Sequence, residues 1–163
     1  MKNWTSMTRV FLCLATVALI ANPAWAEEER ASTMSREECT MSARDVVDQF
    51  IDLLYVKKQV RLAFETWVHP DYIQHKPTLP DGREAVIVFL ERLIERFPER
   101  KFTIHRVISS NDLVAVHYHS QATPDDPGFA VVDIFRVENC RMVEHWDVVQ
   151  RVPEESANDN TMF

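Results

Sequence analysis

An aspartate lies in the middle of an apolar segment near the C-terminal end of the chain. Asp133 stands within residues 130–137, whose alternating apolar side chains predict a β-strand. A buried carboxylate is costly unless it is paired or used, and one held against apolar walls is well suited to removing a proton next to a carbonyl. Asp133 is therefore the leading candidate for a general base. The alternative is a carboxylate that pairs with an arginine or caps a backbone amide in the core.

The strand that follows decides which side chains accompany Asp133. A two-residue turn at 139–140 would place Asp133 opposite Trp146 and leave His145 and Asp147 on the other face of the hairpin. A three-residue loop with a bulge would reverse this parity and bring Asp133 together with His145 and Asp147. We expect the first arrangement, with Trp146 on the face of Asp133.

Three histidines are candidates for a proton donor beside Asp133. His117 and His119 share one face of the predicted strand 113–121, from which either would reach Asp133 or an enolate oxygen. The alternative places both on the outer face, with Tyr118 inside. His75 lies in a predicted loop, either at the rim of a pocket or exposed to solvent. The His-x-His spacing would need a third ligand to hold a metal, and we predict neither a metal nor a cofactor.

The first 26 residues have the composition of a secretory signal. Lys2 and Arg9 precede an apolar stretch of 12 residues, which is too short to span a bilayer, and Ala24-Trp25-Ala26 has the form of a cleavage site. Cleavage after Ala26 predicts a periplasmic or secreted protein. Loss of the two basic residues takes the formal charge from −7 to −9, which argues against binding to nucleic acid or, after cleavage, to anionic membranes.

Two cysteines remain in the predicted mature chain, Cys39 and Cys140. Export permits a disulfide between them, and two free thiols are the alternative.

The rest of the chain predicts a single α+β domain. Residues 27–41 read as a flexible arm, residues 42–152 as the domain and residues 153–163 as a C-terminal tail. Apolar residues recur with helical spacing from residue 43, from residue 59 and over 83–96, whereas 71–80 reads as a loop. The period then changes to two over 102–109, 113–121, 129–137 and 142–151. Helices followed by antiparallel strands predict helices packed on one face of a curved sheet, with a pocket between them.

Four segments in this order, residues 72–75, 82–85, 132–136 and 144–148, carry a family resemblance. The chain resembles the SnoaL-like polyketide cyclases of the NTF2-like superfamily over most of the mature sequence. Its tail is similar to those of a bacterial subgroup described as predicted aldol-condensation enzymes. The resemblance implies a cone of N-terminal helices on a strongly curved, mostly antiparallel sheet that encloses a pocket.

The resemblance also implies site residues. The acid/base aspartate of the cyclases corresponds best to Asp133, and a histidine on the preceding strand corresponds best to His119. Apart from the resemblance, His75 is a further catalytic candidate because of its place in the predicted loop at the pocket rim. The pocket of the family is lined by histidine and aromatic residues, for which this sequence offers Tyr72, His117, Phe135 and Trp146.

We therefore expect an exported, cofactor-independent acid/base protein that abstracts a proton next to a carbonyl, leading to aldol cyclisation or isomerisation. Its partner would be a small apolar or carbonyl substrate, and pairing of the open sheet face predicts a homodimer. The alternative is a non-catalytic module that binds a small ligand or mediates oligomerisation. The sequence leaves open whether the chain is an enzyme.

Overall fold

The computed structural model describes residues 39–163. The predicted signal peptide and most of the predicted arm lie outside the described residues. Within the described part of the chain, no helix is both long and apolar enough to cross a membrane.

Three α-helices precede most of the sheet. They are α1 (Ala43–Ile51), α2 (Val60–Trp67) and α3 (Arg83–Arg96). Ser42 caps α1: its hydroxyl accepts a hydrogen bond from the Asp45 N–H at 3.1 Å, and the Asp45 carboxylate accepts from the Ser42 N–H at 3.3 Å. The helix then widens into a π-helix over Asp52–Val56. The predicted positions of all three helices are confirmed, but nothing in the apolar spacing indicated the π-helix.

Five strands form one mixed sheet in the order β1-β5-β4-β3-β2. The strands are β1 (Val68–Gln74), β2 (Lys101–Ser110), β3 (Leu113–Gln121), β4 (Phe129–Glu138) and β5 (Arg141–Arg151). The four predicted strands are confirmed. β1 is parallel to β5, and the other pairs are antiparallel.

The prediction that residues 71–80 form a loop is wrong for the first part of that segment. Residues 71–74 belong to β1, a strand at the edge of the sheet. Its irregular pairing with β5 and the proline at position 70 mask the strand pattern, and an edge strand tolerates both. Tyr72 and Gln74 of this strand are buried.

The helices cover one face of the sheet. Phe50 on α1 contacts Phe64 on α2 and Phe135 on β4 edge-to-face, with ring centroids 5.2 and 5.7 Å apart. Such buried aromatic pairs stabilise by about 0.5–1.5 kcal/mol beyond their burial. One face of the sheet is therefore core. The other, called the open face below, is contacted by the ring of Phe163, which packs against His105, His117 and His119.

The turn between β4 and β5 combines the predicted loop with an unpredicted bulge. Asn139 and Cys140 both have positive φ, 48° and 58°, as a two-residue type I′ turn requires, and Val137 pairs with Met142 as expected. The register then shifts, because the next pair joins Arg136 to Glu144 and leaves Val143 without a partner.

This bulge corrects the predicted pairing. Asp133 lies opposite Asp147, and Phe135 lies opposite His145. The predicted pairing of Asp133 with Trp146 is wrong, because one extra residue moves every later side chain of β5 to the opposite face.

Cys140 in this turn is bonded to Cys39, with their Cα atoms 5.6 Å apart. The disulfide ties the beginning of the described chain to the hairpin and spans 101 positions of sequence.

Candidate active site

A cavity of about 270 Å³ lies between the helices and the covered face of the sheet. Most of its wall is apolar, and Phe50, Leu54, Phe64 and Val131 contribute to it. Phe89 and Val149 also line the cavity but are 42% and 46% exposed, which places its mouth between α3 and the end of β5.

Asp133 lies in the wall of this cavity and is 6% exposed. The Tyr55 hydroxyl donates a hydrogen bond of 2.7 Å to its Oδ2. The Nε2 of His145 lies 3.4 Å from its Oδ1. Asp133 is thus a buried carboxylate with a phenol and an imidazole on its two oxygens.

The hydrogen bonds around Gln74 fix the tautomer of His145. The Lys76 backbone N–H, which can only donate, lies 2.9 Å from Gln74 Oε1 and identifies that atom as the amide oxygen. His145 Nδ1, 2.9 Å from the same oxygen, therefore carries a proton. A neutral ring would then present the lone pair of Nε2 toward Asp133, and a protonated ring would present an N–H. The Asp133 carboxyl and the His145 imidazole thus lie side by side in the cavity wall, with the facing atoms 3.4 Å apart.

Three tyrosines border the same polar group. Burial is the largest cause that raises the pKa of the Tyr55 and Tyr118 phenols well above the usual value, and the Asp133 carboxylate raises them further. Burial, followed by Asp133 and Asp147, also raises the pKa of Tyr72. All three phenols therefore stay protonated at neutral pH. The Tyr55 hydroxyl donates to Asp133, and the Tyr72 hydroxyl accepts from Gln74 Nε2 at 2.7 Å.

A second polar group lies elsewhere in the cavity wall. Arg100 is 8% exposed, and its Nη1 donates a 2.7 Å hydrogen bond to Ser120 Oγ. Lys76 and Asp147, which also line the cavity, form an ion pair with each other.

The structure brings some of the predicted site residues together. Asp133, Phe135 and Tyr72 all line the cavity. His145, which the expected register placed on the opposite face, joins them, and its ring centroid lies 5.1 Å from that of Phe135. The Val143 bulge causes this change of face.

The other predicted site residues do not line the cavity, because they lie on the open side of the sheet. His117 contacts Arg106 at 2.6 Å, and burial, followed by Arg106, lowers its pKa. His119 Nε2 donates to the Pro127 carbonyl at 2.7 Å. His75 stacks on Trp146, with centroids 4.7 Å apart. The alternative that placed both strand histidines outside and Tyr118 inside is the arrangement observed.

The glutamate next to His75 explains its orientation. His75 Nε2 lies 2.8 Å from Glu144 Oε1, and Arg136 Nε donates to the other oxygen of Glu144 at 2.7 Å. His75 and Arg136 together lower the pKa of Glu144. His75 therefore belongs to a surface cluster.

Sequence reasoning missed three residues of the site. Tyr55 follows a helical stripe of apolar residues. It could have been noticed there, because the hydroxyl of a buried tyrosine needs a hydrogen-bond partner. Gln74 was assigned to a loop, and Arg100 precedes a strand in a charged stretch that reads as a solvated surface. Only Tyr55 carried a usable signal.

The fold is found in proteins of known structure. IdmH from Streptomyces antibioticus, described as a candidate polyketide cyclase, is 18% identical, with 69% of this chain and 94% of IdmH covered and a TM-score of 0.56. An NTF2-like protein of unknown function from Cytophaga hutchinsonii is 15% identical, with coverage of 69% and 94% and a TM-score of 0.56.

A SnoaL-like protein of unknown function from Burkholderia thailandensis is 16% identical, with coverage of 66% and 93% and a TM-score of 0.55. At these identities the likeness concerns the fold, which is the predicted α+β cone. No curated protein matches the sequence. The family model of the SnoaL-like domain matches residues 47–145, a segment that contains Tyr55, Asp133 and His145. The chain therefore belongs to the SnoaL-like domain family.

Proposed function

We propose that this protein is a cofactor-independent acid/base enzyme that removes a proton next to a carbonyl in a small, largely apolar substrate. The observation that carries the proposal is the Asp133–His145 pair, buried in the wall of an apolar cavity with His145 Nε2 3.4 Å from the Asp133 carboxylate. A desolvated carboxylate with a histidine in reach is the arrangement that favours catalysis over a fixed structural ion pair.

In the proposed first step the Asp133 carboxylate takes the proton. The C–H bond breaks, the proton moves to a carboxylate oxygen, and the electron pair passes to the carbonyl oxygen as an enolate. The Tyr118 phenol, which remains protonated because burial raises its pKa, donates to that oxygen. Tyr55 is already bonded to Asp133 and holds the carboxylate in place.

In the second step the enolate carbon attacks a second carbonyl of the same molecule, and a new C–C bond forms. In the proposed starting state Asp133 is ionised and His145 is protonated on both ring nitrogens. The resulting alkoxide takes the Nε2 proton of His145, and Asp133 passes its captured proton to Nε2. Both residues then return to their starting states. For an isomerisation, Asp133 instead returns its proton to a different carbon. We assign the donor role to His145 in place of His119 and His75, because only His145 lines the cavity.

The cavity restricts the substrate to a small molecule. Its volume of about 270 Å³ is close to the lower end of the range for small-molecule pockets, roughly 300–1,000 Å³. The neighbours described as polyketide cyclases suggest the reaction type, whereas the volume favours a substrate smaller than a multi-ring polyketide.

Deuterium exchange tests this proposal. Wild type and Asp133→Asn are incubated in D2O with small ketones and β-dicarbonyls, and uptake is read by mass spectrometry. Asparagine can still accept from Tyr55, so the fold should persist, and we expect exchange to fall by about 10²–10⁴-fold. His145→Gln should also slow exchange, whereas the control His119→Gln, on the open face, should leave it unchanged.

Two outcomes would contradict the assignment. Exchange by Asp133→Asn at the wild-type rate would remove Asp133 as the base. Equal losses of deuterium exchange in His145→Gln and His119→Gln would show that a histidine on the cavity face matters no more than one on the open face. Absence of uptake on every compound, with all variants folded, would favour a non-catalytic module that binds a small ligand.

We also propose that the mature protein is exported and dimeric. The Cys39–Cys140 disulfide supports an oxidising compartment. Ile108 and Val148 on the open face of the sheet are 64% and 67% exposed, which supports pairing of that face between two copies. N-terminal sequencing of the protein from periplasm or medium should begin at Glu27, and light scattering at micromolar concentration should give a dimer.

A further inference from the structure

We propose that Arg100 is a subsite for a carboxylate group of the ligand, so that the substrate is a small carbonyl compound that also carries a carboxylate. This inference rests on the proposed function for the role of Asp133, but its own evidence lies at a separate part of the cavity. Arg100 is a cavity-lining guanidinium that is more than nine-tenths buried.

Arg100 has no counter-ion in the part of the chain that the structure describes. It takes part in none of the ion pairs among residues 39–163, and its guanidinium makes one hydrogen bond, from Nη1 to Ser120 Oγ. Its Nε is buried and without any partner. Burial accordingly lowers the pKa of Arg100, although an arginine remains charged at neutral pH.

The acidic group that acts on Arg100 is already occupied by other partners. The Asp126 carboxylate acts on Arg100 at longer range and partly offsets the effect of burial. Its oxygens accept from the backbone N–H groups of Ala122 and Gly128 and from Arg151 Nη2, all within 3.1 Å. The Asp126 carboxylate is therefore bonded within its own loop and to Arg151, and it makes no ion pair with Arg100.

A buried cation without a counter-ion is costly, and a ligand anion that enters the cavity would remove that cost. Lys76 does not compete for such an anion, because it is paired with Asp147. The ring of Phe97 lies 5.4 Å from the guanidinium carbon and fixes one face of the group, which leaves its edge to bind. A planar guanidinium edge matches a carboxylate, whereas one arginine and one serine supply few donors for a phosphate dianion.

The two ends of the cavity set the spacing of the ligand groups. Ser120, which anchors Arg100, pairs with Phe129 on β4, and Asp133 lies four residues further along that strand. At about 3.3 Å per residue, the two backbone positions are roughly 13 Å apart. The proposed ligand would bridge this interval, with its carboxylate at Arg100 and its carbonyl near Asp133.

Calorimetry with hexanoate and its uncharged analogue hexanamide tests the subsite. Wild type should bind hexanoate at least about tenfold more tightly than hexanamide, a difference of about 1.4 kcal/mol. Arg100→Met keeps the apolar stem, loses the charge and should bind both compounds equally. The matched control is Arg96→Met, because Arg96 also stacks on Phe97, at 5.3 Å, but is exposed. That variant should keep the wild-type preference.

Failure of the subsite and failure of the proposed reaction give different results. Asp133→Asn should retain the preference for hexanoate while it loses deuterium exchange. The subsite is refuted if wild type binds neither compound, binds both equally, or binds inorganic phosphate more tightly than hexanoate. Retention of the preference by folded Arg100→Met would also refute it. If that variant does not fold, Arg100→Lys, which keeps the charge but loses the planar edge, should bind hexanoate several-fold more weakly than wild type.

Discussion

Replacement of both Cys39 and Cys140 by serine should lower the stability of the protein sharply without altering its cavity. Neither residue lines the cavity. The bond between them closes a loop over 101 positions, which is nearly the whole domain. A cross-link over such a length stabilises the fold mainly because it restricts the unfolded chain.

The expected magnitude follows from the length of the loop. A loop of about 100 residues loses about 4.7 kcal/mol of closure entropy at 25 °C, near the upper end of the 2–5 kcal/mol that native disulfides contribute. Unfolding entropy is about 2.1 cal/mol/K per residue, or roughly 0.26 kcal/mol/K for residues 39–163. The double serine variant should therefore melt about 18 °C below the oxidised wild type, and at least about 8 °C below it.

Thermal melts of the mature protein by circular dichroism measure this difference. Wild type in reducing agent should have the same melting temperature as the serine variant. The same agent should leave the melting temperature of the variant unchanged. Thiol titration of the denatured, unreduced wild type should detect no free cysteine. The reasoning is refuted if the oxidised wild type and the variant melt within about 4 °C of each other, a difference of roughly 1 kcal/mol.

Three further predictions concern the cavity. Tyr55, Tyr72 and Tyr118 are the only tyrosines of the chain, and all three have a raised pKa in the folded protein. Their neutral forms therefore stabilise the fold below pH 10, and that stability is lost as the pH rises further. Tyrosinate absorbance should appear only together with unfolding, and a tyrosinate signal near pH 10 from folded protein would contradict this prediction. Tyr55→Phe should destabilise the fold by about 1–3 kcal/mol in urea melts, and by clearly less in an Asp133→Asn background, where the lost partner is uncharged. Arg100→Met should raise the free energy of unfolding of the ligand-free protein by about 1–4 kcal/mol, because it removes a buried unpaired charge; a loss of stability would indicate a structural role.

Regular elements of this fold could be predicted from the sequence because they follow simple periods. The apolar spacing over residues 83–96 placed α3 at its observed bounds, and the alternation over 113–121 placed β3 at its own. The predicted two-residue turn at 139–140 is also present, although Cys140 stands where a type I′ turn prefers glycine. Each of these features depends only on residues close together in the chain.

The site could be predicted only in part, because its residues depend on departures from those periods. Asp133 was identified from its own apolar surroundings. Its partner was not, since the face of His145 depends on whether one residue of β5, Val143, is left unpaired. A bulge of this kind is set by the fit of the whole strand against β1 and β4, and no local residue pattern marks it.

Each polar contact in the Asp133 network is positioned by an irregular element. The π-helix Asp52–Val56 carries Tyr55, the bulge at Val143 turns His145 inward, and the irregularly paired edge strand β1 supplies Gln74. π-helical turns and bulges cost backbone hydrogen bonds and are found most often at functional sites. Three such irregularities surround one carboxylate, and a regular hairpin would have placed Trp146 on the core side in place of His145. Their coincidence at Asp133 is therefore independent support for a site maintained for its chemistry.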